Sequence, residues 1–125
     1  MIDPLSGIPA NVDVQPDAKK LLRRVPASVR ALLVEILDVM ERSAQEYSAP
    51  VARTELIAER DLEDGTEKVV VRQWVRTSHE TAMDYWAKVG RDIDGWVRQL
   101  PEPAADQVGE WVAFVVHPEA NDAAA

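Results

Sequence analysis

The clearest pattern in the chain is a series of apolar residues spaced three and four apart, which indicates an amphipathic helix. It extends from Val29 to Tyr47, and charged or amide side chains fill the opposite side. Pro26 precedes the series, and proline is tolerated in the first turn of a helix because the N–H it lacks has no partner there. Pro50 disfavours helical backbone in the residue before it. We therefore predict a helix from Pro26 to about Ser48.

A second amphipathic helix is predicted after residue 77. Thr77 and Glu80 have the spacing of a capping box, in which each side chain satisfies a backbone N–H of the first turn. Apolar residues then recur on one broad face as far as Leu100, and Pro101 ends the pattern. A shorter helix is predicted over residues 16–24, because this segment opens with a proline and an aspartate that suits the helix dipole.

Three segments have the composition of β-strands. Residues 67–76 are rich in valine and contain neither glycine nor proline, and an Asp-Gly turn separates them from 51–60. This arrangement favours a hairpin, although the segment 51–60 also fits a helix. The stretch from Trp111 to His117 is apolar almost throughout and is stopped by Pro118, which predicts a buried third strand.

These elements predict an α+β protein with a small three-stranded mixed sheet, made of the hairpin and a crossover strand. Two long amphipathic helices pack on one face of this sheet, and the third strand can pair with either strand of the hairpin. Residues 1–15 are expected to be a flexible leader, because the prolines and small polar residues there cannot form a core. A single α+β domain is expected over 16–118, followed by a disordered tail over 119–125.

The composition limits the functions open to such a protein. The chain of 125 residues carries 14 Lys and Arg against 22 Asp and Glu, which gives a formal net charge of −8. This charge repels phosphate backbones and anionic lipid surfaces, which argues against nucleic acid and membranes as partners. The absence of cysteine excludes disulfides and thiolate metal sites, and the five glycines have no phosphate-loop spacing. No targeting signal or membrane-spanning stretch is recognisable, so a cytoplasmic protein is expected.

No catalytic, metal-binding or cofactor-binding residues are predicted, and no cofactor is expected. The two histidines, His79 and His117, lie on different predicted elements. Met83 stands where a zinc-binding helix would need its second histidine. Acidic residues cluster at 61–64 in the hairpin turn, but most acidic turns of this kind are only solvated.

The candidate binding residues follow from the alternation of side chains along the second and third predicted strands. If Val69, Val71 and Val75 of the second strand meet the helices, then Val70, Arg72, Trp74 and Arg76 point to the opposite face, which no predicted element covers. The third strand is apolar on both sides, and Trp111 lies on one of them. An exposed apolar face marks an interaction surface, and Trp and Arg are enriched at binding hot spots. We therefore predict that Arg72, Trp74, Arg76 and Trp111 bind a partner, unless the leader or the first short helix folds over this face.

These features favour a non-catalytic protein–protein interaction module, specifically a small acidic regulatory or inhibitory subunit of bacterial type. It is expected to bind a protein partner, to self-associate as a homodimer, or to do both. The negative charge of its second half suits a basic partner. Antitoxin-like inhibitors share these properties, by analogy of charge and size alone. The alternative is a small-ligand-binding protein or an enzyme with a pocket between sheet and helices, where Arg72, Trp74 and Arg76 hold an anionic or aromatic group.

Overall fold

The structure is a computed structural model that describes residues 5–119. Within this range the chain forms four strands and four helices. In chain order they are β1 (Val12–Val14), α1 (Pro16–Leu22), α2 (Ala27–Tyr47), β2 (Val51–Arg60), β3 (Glu67–Val75), α3 (His79–Val97), α4 (Glu102–Trp111) and β4 (Val112–Pro118).

The four strands form one mixed sheet in the order β1-β2-β3-β4. β2 and β3 form the predicted antiparallel hairpin, while β1 runs parallel to β2 and β4 runs parallel to β3. The α+β class and the mixed sheet are thus confirmed, but the prediction of three strands is wrong. The additional strand β1 lies within the segment 1–15, where Val12 and Val14 flank Asp13. Three residues between two prolines are too few for a period-two pattern to stand out in the sequence.

The rest of the described amino-terminal segment lies on the same side of the sheet as the helices. Leu5 and Ile8 pack against the hydrophobic core. Residues 1–4 of the predicted leader and residues 120–125 of the predicted tail lie outside the described range.

The two long helices form where the apolar periodicity predicts them. α2 ends at Ser48, which adopts the left-handed conformation with φ 57°. The cap of α3 differs by one residue from the predicted one, because Ser78 rather than Thr77 is its N-cap. The Ser78 hydroxyl oxygen accepts a hydrogen bond from the backbone N–H of Thr81 at 3.2 Å. Local sequence therefore places both helices, but α3 ends at Val97, before the predicted end at Leu100, and its cap is the other of two adjacent hydroxyl residues.

The short helix α4 was not predicted. Pro101 is its N-cap and Pro103 lies in its first turn, where a proline is tolerated instead of ending the helix. α4 continues as far as Trp111, so β4 begins only at Val112. The prediction that Trp111 opens the third strand is therefore wrong.

The hydrophobic core lies between the helices and one face of the sheet, here called the inner face. All four helices contribute buried apolar residues to this core, and Val69, Val71 and Val75 face it from β3. Gln73 on the same face is 3% exposed, and its Oε1 accepts a hydrogen bond from the Tyr85 hydroxyl at 2.6 Å. Burial raises the pKa of Tyr85 to about 12, although the bond to Gln73 opposes the shift, so this hydroxyl stays neutral.

Candidate interaction surface

The face of the sheet turned away from the core is here called the outer face. Side chains alternate along each strand, so the residues that pair across the sheet with Trp74, Arg72 and Val70 share this face with them. It is formed by Asp13 of β1, by Arg53, Glu55, Ile57 and Glu59 of β2, by Lys68, Val70, Arg72 and Trp74 of β3, and by Ala113, Val115 and His117 of β4.

Trp74 lies at the centre of a group of four polar side chains. The guanidinium carbons of Arg53 and Arg72 lie 4.8 Å and 5.2 Å from the centroid of its indole ring. The His117 ring packs beside it at a centroid distance of 5.0 Å. The indole Nε1–H donates a hydrogen bond to Oε1 of Glu55. We call these five residues the Trp74 cluster.

The strand register brings the Trp74 cluster together. Arg53 is the cross-strand neighbour of Trp74 on β2, and His117 is its neighbour on β4. Glu55 and Arg72 form the adjacent pair along the same two strands, β2 and β3. Each cation–π contact at a partly exposed site contributes about 0.5–1 kcal/mol, so the two arginines hold the indole and are themselves held by it.

Glu55 is the acidic residue that contacts both arginines and the indole of the cluster, and it is only 6% exposed. Besides the Trp74 N–H it accepts hydrogen bonds from Nε of Arg72 and from Nε2 of Gln15, both at 3.1 Å. Nε of Arg53 lies 3.9 Å from Oε1. Burial by itself raises the pKa of Glu55, but the hydrogen bonds from Trp74 and Arg72 and the charges of both arginines outweigh it. The pKa therefore lies below its ordinary value, and Glu55 is a carboxylate at neutral pH.

The four residues singled out from the sequence do not form one site. Arg72 and Trp74 lie together on the outer face. Arg76 follows the end of β3 and pairs with Glu119 at 3.2 Å, outside the Trp74 cluster. Trp111 ends α4 and packs against the core, so the prediction that it lies on the third strand is wrong. The physical reason is the later start of β4, which leaves Trp111 in the helix.

Sequence reasoning missed three members of the cluster, Arg53, Glu55 and His117. Their positions depend on the register between strands, which the sequence does not state directly. The Asp-Gly turn was the one available signal, because a hairpin closed there places Arg53 and Glu55 opposite the residues around Trp74.

The apolar part of the outer face lies towards β4. Val70 is only 3% exposed although it is not part of the main core, and its neighbours Ile57, Ala113 and Val115 are half-buried. Trp74 is also half-buried, because the arginine side chains lie along its ring. The apolar surface is therefore smaller than the sequence pattern alone predicts. The segment 5–15 and α1 contribute their apolar residues to the core, whereas Gln15, Pro16 and Asp17 border the outer face beside Glu55, Ile57 and Arg72.

A second polar cluster joins α2 to α3. The Ser43 hydroxyl donates to Oδ2 of Asp92 at 2.7 Å, and Lys88 donates to the same oxygen at 2.9 Å and to Glu46 at 3.1 Å. The bonds from Ser43 and Lys88 lower the pKa of Asp92 in spite of its partial burial. These contacts link α2 to α3.

The acidic hairpin turn uses its carboxylates to hold its own backbone. Asp61 accepts from the Glu63 N–H at 2.8 Å and Asp64 accepts from the Thr66 N–H at 2.9 Å. In the part of the chain that the structure describes, no three His, Asp or Glu side chains converge as a metal site would require.

The described residues also enclose a cavity between the sheet and α2. It has a volume of about 280 Å³ and is lined by the amino-terminal segment, by Leu37 and Glu41 of α2, and by Thr54 and Gln73 of the sheet. Arg72 and Trp74 are not among its lining residues, although Arg53 of the Trp74 cluster is. The pocket expected for the alternative function therefore has a different lining from the predicted one.

Comparison of the chain with protein-family models, with curated proteins and with solved structures finds no match in any of the three. None of the helices within residues 5–119 is long and apolar enough to cross a membrane.

Proposed function

We propose that this protein is a non-catalytic interaction module, a small acidic regulatory or inhibitory subunit of the bacterial cytoplasm. It binds a protein partner through the outer face of the sheet, and it also self-associates. The observation that carries the proposal is the Trp74 cluster, in which Arg53 and Arg72 contact a half-buried indole. The cluster lies on the outer face of the sheet, whereas the hydrophobic core packs on the inner face.

The Trp74 cluster has the composition of an interface hot spot. Tryptophan and arginine are the residue types most enriched at such positions. The contacts with the indole and with Glu55 already restrict the two arginines, so less side-chain entropy is lost when a partner covers them. Beside the cluster, Val115 and Ala113 provide the apolar area that the centre of an interface needs.

The charge of the chain favours a basic partner. The net charge of −8 speeds the approach of a positively charged protein. The outer face itself carries both signs of charge, including Glu59 and Asp13 as exposed carboxylates at its margin. We therefore assign long-range steering to the whole molecule and specificity to the Trp74 cluster.

The test is the affinity for a partner captured from the source cells and then purified. Truncating a hot-spot tryptophan costs about 2 kcal/mol or more, so Trp74→Ala is expected to raise the Kd about 30-fold or more in calorimetric titration. Tyr47→Ala is the control, because Tyr47 is an exposed aromatic at the end of α2 whose ring contacts Tyr85 and not the outer face. Unfolding curves of both variants establish that they are folded.

Two results would contradict the proposal. One is a partner that binds Trp74→Ala and the wild type equally well. The other is a partner whose binding Tyr47→Ala weakens as much as Trp74→Ala does, because the loss would then not be specific to the outer face.

A second candidate function is small-ligand binding in the cavity beside Gln73. The amide Nε2 of this buried residue has only a long contact of 3.5 Å to Oγ1 of Thr54, which leaves donor capacity for a ligand. A compound that raises the Tm of the wild type and of Trp74→Ala equally, but not that of Gln73→Leu, would favour this candidate. A compound whose effect is lost in Trp74→Ala would instead bind the outer face.

A further inference from the structure

The strand β4 forms an open edge of the sheet. In the sheet of the described residues it pairs with β3 alone, and from Ala113 to His117 the hydrogen bonds found within residues 5–119 join its backbone to β3 only. The outward-pointing backbone groups of these residues are therefore left for water or for another strand. The other edge, β1, has only three residues.

Apart from Pro118 at its end, β4 also lacks the features that usually prevent edge strands from pairing. Such strands are protected by lysines and other charged side chains, by bulges or by short length. Over its seven residues β4 has no lysine, arginine or acidic residue, and only Pro118 at its end lacks a backbone N–H. Its middle residues Ala113, Phe114 and Val115 are half-buried although all three are apolar.

We infer that β4 pairs antiparallel with β4 of a second copy of this chain, about a two-fold axis at Val115. The inference rests on the self-association in the proposed function and specifies the strand and the register through which the two copies pair. In this register Phe114 faces Val116 of the second copy and Ala113 faces its His117. Two four-stranded sheets then become one continuous sheet.

The order of residues in β4 favours a second copy as the occupant of this edge. About Val115 no facing pair contains an acidic, lysine or arginine side chain, and the small Ala113 lies opposite the large His117 ring. No like charges are brought together, which is the usual obstacle to symmetric pairing. The same operation at the β1 edge would place Asp13 opposite its own copy, so that edge opposes self-pairing.

The pairing also extends the outer face. Ala113 and Val115 of both copies form one apolar strip across the new seam, and His117 of each Trp74 cluster lies beside this strip. A partner protein then meets two Trp74 clusters on the same face of one sheet. The dimer thus presents a larger docking surface than either copy alone.

A cysteine scan tests this register, because the chain has no cysteine of its own. Facing residues of an antiparallel pair have Cα atoms about 4.5–5.5 Å apart, which is within the range of a disulfide. Val115→Cys is therefore expected to form a disulfide-linked dimer under mild oxidation. Ala113→Cys is the register control and is expected to stay monomeric on a non-reducing gel, because its two copies would lie about 13 Å apart along the strands.

A charge exchange tests the same axis without a covalent bond. Light scattering of the wild type is expected to give twice the chain mass of 13.9 kDa. Val115→Lys alone and Val115→Glu alone are expected to be monomeric, because like charges would face each other, whereas an equimolar mixture restores the dimer. Ile57→Lys, on the outer face but away from the edge, is expected to stay dimeric. Recovery in the mixture also shows that both variants are folded.

The inference is overturned by a monomeric wild type, by a Val115→Lys variant that remains dimeric, or by a mixture of the two charge variants that remains monomeric. These outcomes are separate from those of the proposed function. Loss of partner binding in Trp74→Ala together with a monomeric wild type would refute the β4 pairing and leave the outer face as a binding surface. A β4 dimer whose partner binding does not depend on Trp74 would support the β4 pairing and refute the outer face as the binding surface.

Discussion

Replacing Glu55 with glutamine tests the electrostatic structure of the Trp74 cluster. The variant keeps the size of the side chain and an oxygen that can accept from the Trp74 N–H, but it removes the negative charge between Arg53 and Arg72. Hydrogen bonds to a charged group contribute about 1.5–3 kcal/mol each. In Glu55→Gln, one of the two hydrogen bonds donated by Trp74 and Arg72 remains as a weaker bond to a neutral oxygen. The cost of burying a charged carboxylate also disappears, which offsets part of the loss. We therefore expect the free energy of unfolding to fall by about 2 kcal/mol at neutral pH.

The pH dependence of this difference has a definite sign. The pKa of Glu55 is lower in the folded protein than its value of 4.5 without these contacts, so the ionised carboxylate stabilises the fold. The contribution is complete above the unfolded-state pKa and is lost as the pH falls through the folded-state pKa. The gap between wild type and Glu55→Gln is therefore expected at neutral pH and should close under more acidic conditions.

Urea unfolding at neutral and acidic pH measures this gap, at one protein concentration because self-association would otherwise shift the curves. Glu59→Gln is the matched control, since Glu59 is an exposed residue on the same strand and face. It should change the free energy of unfolding by less than about 0.5 kcal/mol. A Glu55→Gln variant as stable as the wild type at neutral pH, or a gap that does not close with acid, would refute the reasoning.

Two further substitutions test buried polar contacts of the core. Tyr85→Phe leaves Oε1 of the buried Gln73 without its donor and should cost about 1–3 kcal/mol in urea unfolding, whereas Tyr47→Phe at an exposed position should be neutral. Ser43→Ala removes the bond to Asp92 between α2 and α3 and should cost about 1 kcal/mol in the same assay. Equal stability of Tyr85→Phe and Tyr47→Phe, or an unchanged Ser43→Ala, would show that these contacts are not maintained in solution.

The elements that the sequence predicts well are those with a long local pattern. The apolar periodicity of α2 and α3 repeats over several turns, so each helix is specified by its own residues. The alternation along β3 likewise predicts that Arg72 and Trp74 share a face opposite Val69, Val71 and Val75. These predictions need no information about the rest of the chain.

The elements that the sequence did not predict depend on distant partners. β1 is a strand because Val12 and Val14 pair with Thr54 and Leu56, some forty positions along the chain. α4 follows two prolines, which are equally compatible with the end of one helix and the start of the next. The assignment of Trp111 to the sheet failed for this reason.

The composition of the Trp74 cluster was the least accessible feature. Arg53, Glu55 and His117 reach Trp74 only because three strands lie in one particular register. A shift of one residue would turn each of these side chains to the other face. The sequence therefore indicated that Arg72 and Trp74 share one face of a strand, and the structure shows which side chains surround them there.

The most direct test of the outer face as a binding surface is a nuclear magnetic resonance titration of the indole N–H signals with the purified partner. Each of the four tryptophans gives one signal, and Trp74→Phe identifies that of Trp74. The account predicts that the partner shifts or broadens the Trp74 signal while those of Trp86 and Trp96, which pack against the core, stay in place. An unchanged Trp74 signal in a titration that moves those of Trp86 or Trp96 would contradict it.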